Sequence, residues 1–105
     1  MKTDDLDAIA DLSIAVIGKE RSISPHVAMC VKILRHAGLR TLTHALGTNV
    51  EGPLDRVLGA IGECHRQLHA AGLARLVSNI TIATRTDRTQ TIEEKIAAVT
   101  SKVEP

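Results

Sequence analysis

Two phrases in this chain nearly repeat each other: Leu34-Arg35-His36-Ala37-Gly38-Leu39-Arg40 and Leu68-His69-Ala70-Ala71-Gly72-Leu73-Ala74. Each closes a stretch of helical periodicity with a glycine and leads at once into a run of strand character. A helix that ends this way twice, each time ahead of a strand, predicts a duplicated βαβ unit. With the right-handed crossovers such units adopt, the product is a four-stranded antiparallel sheet with both main helices on one face. At 105 residues the chain has room for one core and not for two.

The remaining elements fall around that repeat. Ile9 to Ile17 alternates, with Leu12, Ile14 and Val16 on one face and Asp11, Ser13 and Ala15 on the other; Gly18 closes it as strand 1. Lys19 to Ile23 reads as a loop. Ser24 with Pro25 marks a helix start, a hydroxyl to cap and a proline where a missing N–H does no harm. Val27, Val31 and Leu34, with Cys30 beside them, form its apolar stripe. Arg40 to Leu46 is strand 2, Gly47 permits a tight turn or bulge, and Thr48 to Glu51 is strand 3. Gly52-Pro53 opens helix 2, whose face is Leu54, Val57, Leu58, Ile61, His65 and Leu68. Gly59 and Gly62 lie inside it; each costs about 1 kcal/mol against alanine, which predicts close backbone packing there. Arg75 to Thr84 is strand 4, and Arg85 to Gln90 a polar loop. Thr91 and Glu94 form a capping box for helix 3, striped by Ile92, Ile96, Val99 and Val103.

The order is β-α-β-β-α-β-α, with residues 1–8 as a solvated leader and 9–105 as one domain. One sheet face is left uncovered, and its residues, Ala15, Ile17 and Val77 among them, mix apolar with small polar groups. An open face of that kind predicts self-association.

Composition excludes several partners. The formal charge is +1 with cations scattered along the chain, and aromatic residues are absent, so neither an electrostatic nor a stacking surface for nucleic acid is present. No segment nears the ~20 apolar residues of a membrane span, and the acidic start Met1 to Asp7 lacks a signal peptide's apolar region. Cys30 and Cys64, each inside a helix, read as reduced, buried thiols of a cytoplasmic protein.

There is no glycine-rich phosphate loop, no CxxC and no HExxH. His65 and His69 share a helix face with Cys64 adjacent, a spacing that can hold a metal, but no second pair joins them. They read as a part-buried core residue and its solvated neighbour, so neither metal nor cofactor is expected. No local signature of an activated nucleophile is visible either, and the chain is not expected to be an enzyme. Arg85-Thr86-Asp87-Arg88 reads as a solvated loop, with an anion clamp as the alternative.

The segment Gly47-Thr48-Asn49-Val50-Glu51-Gly52-Pro53 is the most informative. Two glycines bracket a short strand that presents a hydroxyl, an amide and a carboxylate. Glu51 stands just before helix 2, where exposed N–H groups favour a carboxylate. Spacing alone leaves open that Thr48 is only a strand hydroxyl and Glu51 only a charge partner for the helix end.

Ala10-Asp11-Leu12-Ser13-Ile14, Ala37-Gly38-Leu39, Leu46-Gly47-Thr48-Asn49-Val50-Glu51-Gly52, Ala71-Gly72-Leu73 and Thr91-Ile92-Glu93-Glu94-Lys95 together resemble the short thiamine-binding protein family, in order and over nearly the whole chain. The resemblance implies an α+β, ferredoxin-like βαββαβ sandwich with an added C-terminal helix. It implies assembly into dimers or tetramers and non-catalytic binding of thiamine or its hydroxymethylpyrimidine portion. Carried over by position, the ligand-binding candidates are Ser13, Thr48, Glu51, Ser78 and Asn79. Hydroxyl and amide groups pair with an aminopyrimidine edge, and a carboxylate such as Glu51 favours a thiazolium cation. The chain departs from the family where His44-Ala45-Leu46 replaces Thr-Pro-Met, where Ser78-Asn79 replaces Thr-Ser, and where an acidic pair is missing near Ala83-Thr84. The competing readings are an oligomeric structural or regulatory module with another small ligand or none, and an enzyme of small-molecule metabolism.

Overall fold

The computed structural model describes residues 6–18 and 23–103, so the leader reading of residues 1–5 and the loop reading of residues 19–22 lie outside it. The chain runs β1 (Asp7–Val16), α1 (Ser24–His36), β2 (Arg40–His44), β3 (Gly47–Pro53), α2 (Leu54–Ala70), β4 (Leu76–Thr84) and α3 (Ile92–Val103). The sheet order is β2-β3-β1-β4, and every neighbouring pair is antiparallel. β1 therefore lies inside the sheet, with β3 on one side and β4 on the other, and the sheet is four-stranded and antiparallel, as the duplicated helix-to-strand phrase predicts.

That phrase has one structure in both copies. Gly38 and Gly72 take φ of +83° and +98°, a region closed to most side chains. After each glycine a leucine N–H reaches back to the carbonyl five residues earlier: Leu39 to Leu34 and Leu73 to Leu68, both 3.2 Å. The Gly38 N–H donates to Arg35 O and the Gly72 N–H to His69 O, which completes a Schellman cap on each helix. All four leucines are buried in the core cluster, so each cap also fastens the helix end to the core.

Alternation along the strands sets the two sheet faces. Ala8, Ala10, Leu12 and Val16 of β1 and Thr48 and Val50 of β3 are buried beneath α1 and α2. From α2, Val57, Ala60, Ile61, Cys64 and Leu68 complete the core, a face rotated slightly from the expected one, which leaves Leu58 exposed. From α1 only Cys30 and Leu34 are buried; Val27 and Val31 stay half-exposed.

Several boundaries differ from the sequence reading. β1 starts at Asp7, because Ala8 is paired on both sides, with Gly52 and with Thr84. β2 stops at His44, since Ala45 and Leu46 form the two-residue hairpin turn. α1 begins at Ser24 itself, so its N-cap position falls to Ile23, whose side chain has nothing to cap with. Gly59 and Gly62 of α2 do not mark close packing: a Cβ at Gly59 would meet open space, and one at Gly62 only the flexible Arg66 side chain. The tight glycines are those of β3. A Cβ at Gly47 would stand 2.9 Å from the Leu12 carbonyl, and one at Gly52 would collide with Leu39.

α3 stands apart. Ile92 is buried, but Ile96, Val99 and Val103 are 46%, 62% and 75% exposed. Its start is well made: the Glu94 N–H donates to Thr91 Oγ1 at 3.1 Å, and that hydroxyl donates to the Glu94 carboxylate.

Candidate functional site

The β1–β3 ladder ends at the pair Leu12–Thr48, whereas β1 continues along β4 to Val16. From Ser13 to Val16, β1 thus has no strand on its β3 side among the described residues. A cavity of about 770 Å³ lies at this step, between α1 and the β2–β3 hairpin. Its apolar wall includes Leu12, Ile14, Val27, Val31 and Leu34. The half-exposed Val27 and Val31, core residues by periodicity, are instead wall residues of this hollow.

Thr48 is 4% exposed, yet its hydroxyl has no hydrogen-bond partner. Among the described residues no buried side-chain oxygen or nitrogen is left both unpaired and shut off from accessible space, so the hydroxyl retains access, and the hollow that Thr48 lines supplies it. Apolar surroundings make an unpaired hydroxyl costly, by about 1–3 kcal/mol where nothing hydrates it. A ligand acceptor or donor, or water, is what such a group needs.

The hairpin that carries Thr48 is anchored from outside. The Leu46 N–H donates to His44 Nδ1 at 3.3 Å, which makes Nδ1 the acceptor and puts the ring proton on Nε2. Nε2 lies 2.7 Å from Asp11 Oδ1 on β1. Gly47 allows the approach, because a side chain there would strike both the Leu12 carbonyl and the Asp11 carboxylate. The mouth is basic: Lys32 and Arg35, one turn apart on α1, border the cavity with Thr43 of β2. Arg35 is steadied by its Nε, which donates to Thr41 Oγ1 at 2.9 Å. Cys30 reaches the same cavity, and the Cys64 thiol donates to the Cys30 carbonyl at 3.7 Å. Hydrogen bonding to Cys30 and then burial push the Cys64 thiol well above its ordinary value, so it stays protonated.

Glu51 is elsewhere. Three residues from Thr48 in an extended strand, it faces the open side of the sheet, and it caps α3 rather than α2: the Ile92 N–H donates to Glu51 Oε1 at 2.7 Å. Its other oxygen pairs with Arg40, which also holds both oxygens of Glu93 at 2.7 and 2.9 Å. Hydrogen bonding, to Glu93 first and then Glu51, raises the Arg40 guanidinium further, and Arg40 in turn holds the Glu93 carboxyl below the usual range. A second hollow of about 650 Å³ borders this cluster. In the following loop, Arg85 Nε donates to Asp87 at 2.7 Å and brings that carboxyl down to about 2.

The other candidates also separate. Ser78 lies on the helix side of β4, 2.9 Å from His65 Nε2. Asn79 faces the open side, in register with Ser13. Ser13 shares the open face with Asn79 and borders the 770 Å³ cavity from the unpaired edge of β1, whereas Thr48 lines it from the helix side of the sheet. His69 Nδ1 donates to the Leu73 carbonyl at 2.7 Å, a helix-end role. Among the described residues no group of three or more His, Cys, Asp or Glu side chains is placed to hold a metal, and no helix is long and apolar enough to cross a membrane.

A ferredoxin-like βαββαβ sandwich with an appended helix and a side-opening cavity defines the class. Within it, the chain belongs to the family described as "Thiamine-binding protein", whose pattern matches residues 10–100. It is 41% identical over 99 residues to the UPF0045 protein sll0230 of Synechocystis, across 94% of this chain and 82% of that one. The crystal structure of the hypothetical protein MJ1052 of Methanocaldococcus jannaschii superposes with a TM-score of 0.82 at 34% identity, covering 90% of this chain and 96% of the other. A Thermotoga maritima protein provisionally assigned to thiamine biosynthesis or salvage shares the fold at a TM-score of 0.74 and 17% identity, over 88% and 97% of the two chains.

Proposed function

We propose that this protein binds thiamine or its hydroxymethylpyrimidine portion without converting it, in the cavity between α1 and the β2–β3 hairpin. The observation that carries the reading is the Thr48 hydroxyl, unpaired and 4% exposed in an apolar hollow of ligand size. A flat aminopyrimidine presents an exocyclic amine beside ring nitrogens, donor next to acceptor. Thr48 meets one of these, and the β3-side edge of Ser13 to Val16 offers main-chain groups of both kinds. The family's description supports the same ligand class.

Two further features belong to this reading. The apolar stripe of α3, exposed at Ile96, Val99 and Val103, and the open sheet face favour a homo-oligomer, a dimer or tetramer, because a 12-residue helix is marginal on its own in water. The free thiols of Cys30 and Cys64 suit the reducing cytoplasm.

The chain has no aromatic residues, so ligand absorbance is read without protein background. Equilibrium dialysis against thiamine and against hydroxymethylpyrimidine should show saturable, stoichiometric retention of at least one. Retention of neither, nor of their phosphate esters, by folded protein would overturn the proposal.

A further inference from the structure

Resting on that reading of the cavity, we infer that its preferred ligand is the phosphate monoester of the heterocycle and not the free alcohol. The charge of the site points there. Among the described residues that line the cavity there is no aspartate or glutamate, whereas Lys32 and Arg35 stand one turn apart at its mouth. Neither has a carboxylate partner among the described residues. The Lys32 ammonium makes no hydrogen bond, and Arg35 uses only Nε, toward Thr41, which leaves the two terminal nitrogens of its guanidinium for a ligand. The Thr43 hydroxyl, also without a partner, borders the same mouth from β2.

Free thiamine brings a fixed positive charge to this place and finds two more. The carboxylate that would welcome it, Glu51 of the same strand, faces the opposite side of the sheet and is held by Arg40 and by the start of α3. A phosphate monoester brings about −1.5 to −2 at neutral pH and acceptor oxygens suited to a guanidinium, an ammonium and a hydroxyl. With the heterocycle inward on Thr48, the ester points outward to Lys32 and Arg35. The hollow, about 770 Å³, has room for both parts.

The test compares four ligands by equilibrium dialysis on the full chain: thiamine, thiamine monophosphate, hydroxymethylpyrimidine and its monophosphate. Each ester should bind about tenfold or more tightly than its alcohol, the span of one net charge-assisted contact. The advantage should shrink as salt rises, and inorganic phosphate should compete with the esters. In Lys32→Gln with Arg35→Gln the ratio of ester to alcohol affinity should fall towards one. Lys32→Gln alone, at an exposed position with no contact to lose, should lower the ratio by itself should the Arg35 change loosen β2. Esters no tighter than alcohols would overturn this inference and leave the proposed function standing. An ester advantage that survives both variants would remove Lys32 and Arg35 from the site and overturn it too. Failure of all four ligands would overturn both.

Discussion

Thr48 and Glu51, three residues apart in β3, point to opposite faces of one sheet: the hydroxyl into the cavity beside α1, the carboxylate to the first N–H of α3. The pleat alone requires this, since an odd separation in a strand always changes face. The phrase from Gly47 to Gly52 therefore serves two places at once, a candidate binding cavity and the mooring of the last helix.

Thr48→Val should separate binding from stability. Valine keeps the shape and removes a hydroxyl that has no partner in the free protein, so the thermal midpoint should stay level or rise slightly. Ligand affinity should fall about three- to tenfold, the worth of one neutral hydrogen bond. Dialysis and thermal melts on the same preparation measure both, and equal losses in the two would make Thr48 a structural residue.

Glu51→Ala should do the reverse. It removes the acceptor of the Ile92 N–H and one partner of Arg40, at about 0.5–2 kcal/mol of local stability for a lost cap. Amide exchange should quicken through the first turn of α3 while affinity in the cavity holds at the wild-type value. Weakened ligand binding with unchanged exchange would place Glu51 at the ligand after all.

Much of the fold could be read from the sequence because local chemistry and long-range topology agree in it. The Ala-Gly-Leu phrases fixed both helix ends by requiring a left-handed glycine and a buried leucine after it, and the strands followed from alternation. The site was less legible. Neighbours in sequence such as Ser78 and Asn79 look like one cluster, but in a strand they part company, one to His65 and one to the open face. Lys32 and Arg35 gave no signal beyond being helix-surface cations, because their role depends on where β3 stops pairing with β1. Val27 and Val31 had the right period for the core, and periodicity cannot tell a filled core from a wall with a hollow beside it.

Gly47→Ala should be the most damaging change in the phrase. The new methyl would press on the Leu12 carbonyl, a main-chain group that cannot swing aside, and on Asp11 beneath the His44 ring. Overpacking of this kind costs about 1–3 kcal/mol. The hairpin should shift outward, break the His44–Asp11 contact and carry Thr48 with it, so that both melting temperature and ligand affinity fall. Gly59→Ala is the control: with open space around it and a helical backbone, it should stabilise by up to about 1 kcal/mol. A Gly47→Ala protein that melts and binds like the parent would show that the approach of the hairpin to β1 is looser than described.

Acid should loosen α3 ahead of the core. Hydrogen bonding to Arg40 holds the Glu93 carboxyl below its ordinary value of 4.5. A depressed carboxyl contributes stability that is complete above the ordinary value and is lost as pH falls through the lower, folded one. The contribution is small, since Glu93 and Arg40 are exposed, but it falls on a helix with little else to hold it. Amide exchange across residues 92–103, compared with the core strands between pH 6 and pH 3 after correction for intrinsic rates, should show protection lost first in α3. Glu93→Gln, which cannot titrate, should flatten that difference.

The stripe on α3 gives the sharpest test of assembly. Val99 and Val103 are exposed on a helix whose amphipathic period matches a buried face, and the uncovered sheet offers apolar area of the same kind at Ala15 and Val77. A helix so lightly held by its own chain gains most of its stability by packing against another surface. Light scattering should therefore report a particle larger than 11.2 kDa at micromolar concentration. Val99→Asp, which sets a charge in the middle of the stripe without touching the core, should return the chain to a monomer with a less ordered α3 and an intact sheet. A parent protein that already scatters as a monomer, with α3 fully protected from exchange, would mean that the helix is stable alone and that its apolar face needs no partner.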